Sequence, residues 1–284
     1  MCKAGIIWLT LVCSMASGCA SLVSDAASGF ADNISTAILN HDDPEIARAG
    51  MPSYMLMMDG LVEGSPDDPA MLGAAANLYA SYGAVFADDE QRAMRLTRRA
   101  RNYASDAMCN RFAESCGWND LKYDEFVTSL DGLDEAQADA LYTYGFTLLA
   151  YIRAHSADWN ALAELPQVEA ILIRYLELRG GDATASAYTY LGVLQTLRPP
   201  AMGGRPEAAR ENFERAIELT GGRDLAAKVE FAKGYARTMY ERELHDRLID
   251  EVLDASPYAD GFTLLNVLAQ EEALALRMSA DDYF

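Results

Sequence analysis

Apolar residues recur every three to four positions along most of the chain. Convincing alternation of apolar and polar positions is absent, so the pattern predicts helices rather than strands. The expected helices cover Phe30–Leu39, Pro44–Val62, Pro69–Phe86, Asp89–Met108, Leu133–Arg153, Pro166–Leu178, Ala185–Leu197, Pro206–Leu219, Leu225–Tyr240, Glu241–Leu253 and Gly261–Ser279. Several starts carry proline or an acid in the first turn, as at Asp43-Pro44, Pro69 after Asp67-Asp68, and Pro206-Glu207. Gly180-Gly181 and Gly221-Gly222 supply stops, because glycine accepts the left-handed cap conformation.

Paired helices with short links direct attention to internal repeats. The clearest runs Tyr188, Leu191-Gly192, Ala209, Phe213, Ala216. Its order of large, Leu-Gly, small, aromatic and small residues resembles the tetratricopeptide (TPR) pattern. There, small positions let two antiparallel helices approach while large ones fill the space between repeats. The stretch from Pro199 to Gly204 lengthens the inter-helix turn by about five residues over a repeat of roughly 34. A weaker copy runs Leu72, Ala75-Ala76, Tyr79, Ala93, Thr97, Ala100, with a similar insertion around Ala84–Glu90. The expected fold is therefore all-α: a TPR-like α-solenoid, a right-handed superhelix of antiparallel helix pairs, forming a single domain over residues 32–284.

The first residues change the picture of where this body sits. Lys3 and the apolar stretch Ala4–Val12 read as a signal peptide over 1–18, too short to span a bilayer as a mature helix. Ala16-Ser17-Gly18 then lead into Cys19, an arrangement that resembles the lipobox of bacterial lipoproteins, in which the cysteine is lipidated. Ala16 departs from the leucine more common in that motif, and ordinary secretion with cleavage at a nearby small residue is the alternative. By the same resemblance, Ala20 after the cysteine favours a periplasmic location at the outer membrane of a Gram-negative cell. Residues 19–31 would be a lipidated flexible tether. No later segment is long and apolar enough to cross a membrane, so membrane contact is expected through the lipid anchor only.

Cleavage reduces five cysteines to Cys19, Cys109 and Cys116. With Cys19 acylated, an even pair remains in an oxidising compartment, which suggests a Cys109–Cys116 disulfide. Two free buried cysteines are the alternative. A zinc site is a poor fit, since no histidine lies nearby and two cysteines leave half its positions empty.

The net charge of −20 argues against nucleic acid as a partner, because phosphate neutralisation needs a basic face. It equally disfavours adsorption to anionic lipid, and otherwise describes a well-solvated surface. No catalytic constellation emerges, and no cofactor or metal is expected. His41, His155 and His245 are far apart and read as surface or cap residues. Gly203-Gly204 lacks the following lysine of a nucleotide loop, and acids are so abundant that Asp88-Asp89 or Asp281-Asp282 carry little information.

Aromatic residues are a better lead. Asn77, Tyr79 and Tyr82 share one helix, with the two tyrosines at i, i+3. Tyr142, Tyr144, Tyr188 and Tyr190 decorate first helices of later repeats, which in such arrays line the concave side. A tyrosine there offers an apolar ring and a polar tip, so Asn77, Tyr79, Tyr82, Tyr142 and Tyr188 are candidate ligand- or pore-lining residues. Ordinary inter-repeat packing is the competing explanation for each. Met51, Met55, Met57 and Met58 pose the same choice between an adaptable apolar site and core filling.

Longer segments carry a more specific resemblance: Gly50–Pro66, Ala74–Tyr82, Trp159–Glu169, Gly203–Ala216 and Arg242–Val252, in that order along the chain. Together they resemble the T component of tripartite ATP-independent periplasmic (TRAP) transporters, the TatT family. The resemblance covers nearly all of the mature chain. It implies a non-enzymatic, lipid-anchored periplasmic accessory that accompanies a solute-binding protein and a permease. It further implies a homotrimer with a pore through each subunit, and a hydrophobic or organic-acid-like ligand. A TPR scaffold for envelope or outer-membrane assembly is the alternative function.

Overall fold

The structure, a computed structural model, describes residues 29, 33–181, 184–197 and 204–284. The signal peptide, most of the tether and Cys19 lie outside the described residues. Leu39–Phe284 forms one compact unit, and it is all-α, without strands among the described residues.

Acid-and-proline starts nucleate the first helices. In α1 (Pro44–Gly64) the Asp43 carboxylate accepts from the backbone N–H groups of Glu45 and Ile46. Asp68 does the same for Ala70 and Met71 at the head of α2 (Pro69–Val85), and Asp89 for Arg92 in α3 (Glu90–Arg111). Each cap satisfies donors that the first turn leaves without an intrahelical partner. There follow α4 (Tyr123–Leu130), α5 (Ala138–Ala154), α6 (Trp159–Leu162), α7 (Leu165–Leu178), α8 (Ala185–Thr196) and α9 (Pro206–Leu219). The chain ends with α10 (Leu225–Glu230), α11 (Arg242–Asp254), α12 (Thr263–Met278) and α13 (Ala280–Tyr283). Between α9 and α10, Gly221 and Gly222 take φ of 59° and 74°, a region that costs a residue bearing a Cβ.

Sequence neighbours do most of the packing. α2 lies on α3, α3 on α5, α5 on α7, and α8 on α9, while α10 and α11 both lie on α12. The α8–α9 contact shows why Leu191-Gly192 precedes a small–aromatic–small helix. A Cβ on Gly192 would stand 2.8 Å from the Phe213 ring, and Ala209, Phe213 and Ala216 are fully buried around it. At α2–α3, Gly83 faces Thr97 in the same way, with Ala100 buried beside it. One contact joins the ends: α1 touches α12. There Asn40 donates to Asp260 (3.0 Å) and accepts from the Gly261 N–H (2.6 Å), and the Tyr258 hydroxyl meets Asp42 (3.1 Å).

Four expectations are corrected. A 3₁₀ segment, Ala113–Asp120, and α4 fill the stretch after α3 where no helix was expected. Each is eight residues long, too short for periodicity to register, and each is pinned by one aromatic, Trp118 and Phe126, which are buried. Secondly, α5 begins at Ala138 instead of Leu133, because Asp134 caps a separate short turn, Glu135–Gln137. Thirdly, the helix expected over Leu225–Tyr240 widens directly after α10 into a π-helix over Phe231–Ala236. Fourthly, His155 and His245 are buried, not at the surface. His155 does close α5, with Nδ1 2.8 Å from the Tyr151 carbonyl. His245 sits inside α11 with Nδ1 2.9 Å from Asp246 and Phe284 against its ring.

Candidate functional site

One face of α5 carries Tyr142, Phe146 and Arg153, spaced at i, i+4 and i+11 so that all three project in nearly one direction. Across from it, α8 presents Ser186 and Tyr190, one turn apart. The Phe146 and Tyr190 rings stack at 5.9 Å and 21°, and Tyr175 from α7 lies 4.9 Å from the Tyr142 ring. The Tyr142 hydroxyl interacts with those of Ser186 and Tyr190. Three helices thus deliver aromatic walls with a row of hydroxyls between them.

Burial dominates the electrostatics of this row. Desolvation pushes the Tyr142 phenol well above its ordinary value, and Tyr190 up to about 12. Around Tyr190, Asp224 and Glu230 add to that shift while Arg153 opposes it. Tyr142, Phe146 and Tyr190 nevertheless keep part of their surface accessible. The hydroxyls are thus withdrawn from solvent while the side chains that carry them stay partly accessible. Arg153 has no ion-pair partner among the described residues. The set presents the partly accessible edges of packed rings beside hydroxyls and one guanidinium, groups that suit a ligand with an apolar body and a polar head.

The other tyrosines fall elsewhere. Tyr79 and Tyr82 are buried in the packing of α1, α2 and α3 and line no open surface. The Tyr79 hydroxyl donates to Asp59 (2.7 Å), as does that of Tyr103 (2.8 Å), while Arg99 pairs with the same carboxylate and lies over both rings. Desolvation, then the Asp59 bond, raises the Tyr79 pKa. Arg92 covers Tyr82. Asn77 points the opposite way, is exposed, and donates to Thr143 (3.2 Å). It therefore adjoins the α5 face, one residue from Tyr142. Tyr188 lies on the other side of α8 from Tyr190 and interacts with Arg215 of α9. Tyr144 is buried against Trp118 at 5.4 Å, and burial lifts it to about 12.

Of the tyrosines singled out as lining residues, then, only Tyr142 lies on this face of α5. Phe146, Ser186 and Arg153 were not read from the sequence. Projecting α5 as a helix and following the face of Tyr142 would have found Phe146 and Arg153. Ser186 requires knowing how α8 crosses it. Met51, Met55 and Met58 are core and Met57 is exposed. Cys109 and Cys116 are joined by a disulfide that ties the end of α3 to the following 3₁₀ segment, with Cα atoms 4.6 Å apart. Among the described residues no three His, Cys, Asp or Glu side chains gather to hold a metal, and no helix is long and apolar enough to cross a membrane.

No curated protein matches the chain. The family described as TRAP transporter T-component matches residues 40–284, which is nearly the whole of the compact unit. That span takes in the capped α1, the α2–α3 and α8–α9 hairpins, the aromatic face shared by α5 and α8, and the contact between α1 and α12. The chain belongs to the TRAP transporter T-component family, and its role is that of an accessory in a TRAP transport system.

Proposed function

We propose that the chain is a lipid-anchored periplasmic protein, held at the outer membrane through Cys19, that docks a periplasmic solute-binding protein and passes its ligand along a recess beside the aromatic face of α5 and α8. It acts through contact and passage, without catalysis. Its helix pairs form a TPR-like array over residues 32–284. The family match over residues 40–284 carries this reading. The touching of α1 and α12 supports it as well, since helices near the two ends of the array that meet bring it back on itself. The recess favours a ligand with an apolar body and a carboxylate head. Tyr142, Phe146 and Tyr190 would hold the body and Arg153 the head. Asn77 would extend that path, and the buried Tyr79 and Tyr82 would not.

Crosslinking in cells followed by mass spectrometry tests the assignment. A TRAP solute-binding protein is the expected capture; a chain that never captures one refutes the reading. Recovery of a cell-wall or outer-membrane component instead would replace it with an envelope scaffold. The homotrimer implied by family resemblance is read from the mass of the purified protein. Replacing Cys19 by serine should move the protein from the membrane to the soluble fraction, and continued retention refutes the anchor.

A further inference from the structure

The exposed face of α1 carries no charge between Glu45 and Glu63. It consists of Ile46, Ala49, Gly50, Ser53, Leu56, Met57 and Gly60, all open to solvent, with Leu56 at 72% and Ile46 at 57% of full exposure. The charged residues of that stretch are occupied elsewhere: Arg48 with Glu45 and Asp88, and Asp59 with Tyr79, Tyr103 and Arg99. A bare apolar helix face is unusual on a chain of net charge −20. Nor do its glycines serve internal packing, since a Cβ on Gly50 or Gly60 would meet nothing within 4 Å. Glycine in a helix interior is destabilising unless something uses the space.

The order of residues on this face says what uses it. Laid antiparallel on a copy of itself about Ser53, the face sets Ile46 opposite Gly60, Ala49 opposite Met57, Gly50 opposite Leu56, and Ser53 opposite Ser53. Every large side chain meets a small one, in both directions, as a self-complementary two-fold contact demands. An uncharged face is also where two chains of like net charge can meet at least electrostatic cost. We propose that α1 is a homotypic interface, in which the α1 helices of two copies pair antiparallel across a two-fold axis at Ser53. The contact yields dimers, or six copies where it joins two three-fold assemblies.

Sedimentation velocity on the chain carrying Cys19→Ser, which removes any acylation, tests this. An even-numbered species is expected, strengthened by added salt as the net charge is screened. Leu56→Glu buries two carboxylates per contact and should weaken association by about 100-fold or more. Gly50→Leu should weaken it by a similar factor through the clash with Leu56 of the other copy. Combining Gly50→Leu with Leu56→Gly exchanges large for small on both sides of the axis and should restore the even-numbered species. Circular dichroism on each variant separates lost pairing from lost folding. Monomers or trimers alone, or a double variant no better than Gly50→Leu, overturn the proposal. Capture of the solute-binding protein is scored separately, so the transport assignment stands or falls on its own.

Discussion

Two hydrophobic cores among the described residues are held by different physics. The first, gathered from α2 to α8, is filled by large side chains: Trp118 lies edge-on to Phe126 (5.2 Å) and Tyr144 (5.4 Å), with Leu141, Leu148, Ile171 and Leu172 fully buried around them. The second, from α9 to α12, stacks Phe213 on Phe231 (5.0 Å) but threads polar groups through its interior. Asn266 and His245 are fully buried there, and Asp224 nearly so. Volume dominates the first core, and directional bonds fix the second. Substitutions should sort the two accordingly.

The largest effect belongs to the first core. Phe126 is 1% exposed on the eight-residue α4, a helix too short to persist without that anchor. Phe126→Ala should cost about 3–5 kcal/mol, read by urea unfolding, and should release protection of residues 113–130 first. A cost under about 1 kcal/mol would show that this core is less dependent on volume than the packing indicates.

In the second core the comparable position is polar. The Asn266 side chain accepts from the Leu225 N–H (2.9 Å) and donates to the carbonyls of Arg223 (2.9 Å) and Pro257 (3.1 Å). It thereby ties the start of α10 and the loop before α12 to one buried amide. Asn266→Leu keeps the volume and removes all three bonds, leaving buried backbone groups without partners, at a cost of about 2–4 kcal/mol. If the leucine is tolerated, the contrast between the cores fails at its sharpest point.

The disulfide lies at the margin of the first core and should matter less. Closing eight residues from Cys109 to Cys116 removes chain entropy worth about 2.5 kcal/mol at most by the loop-length relation. Replacing both cysteines by serine should therefore lower the unfolding midpoint without dismantling the core. Mapping the peptides with and without reductant reads the bond itself.

Much of this contrast could be read in the sequence where packing is encoded by size. Gly192, Ala209, Phe213 and Ala216 point to a close helix pair because a glycine and two alanines around one aromatic ring let two helix backbones approach. The same logic failed for Tyr79 and Tyr82. A tyrosine at i, i+3 looks identical whether its hydroxyl faces a recess or a buried carboxylate, and the partner Asp59 lies 20 residues away. Asn266 and His245 were illegible for a related reason. A polar residue on an apolar face reads as an exception until the carbonyls and amides that satisfy it are placed by the fold.

The smallest expected effect separates charge from hydrogen bonding within the second core. Asp224 caps α10, accepting from the Ala226 N–H (3.1 Å) and the Ala227 N–H (3.4 Å), yet it is nearly buried. Desolvation raises its pKa, and the two backbone bonds only partly offset that rise. The folded protein therefore binds this proton more readily than the unfolded chain does. The Asp224 contribution to stability consequently falls as pH climbs from the ordinary carboxylate value through the raised folded one, and stays low at neutral pH. Asparagine retains the cap acceptor without the buried charge. Asp224→Asn should leave the protein at least as stable as the parent at pH 7, and that relative advantage should shrink on acidification. Paired urea titrations at pH 7 and in mild acid read the difference. A clear loss of stability at pH 7 would mean that the charge on this cap, and not only its hydrogen bonds, holds the head of α10.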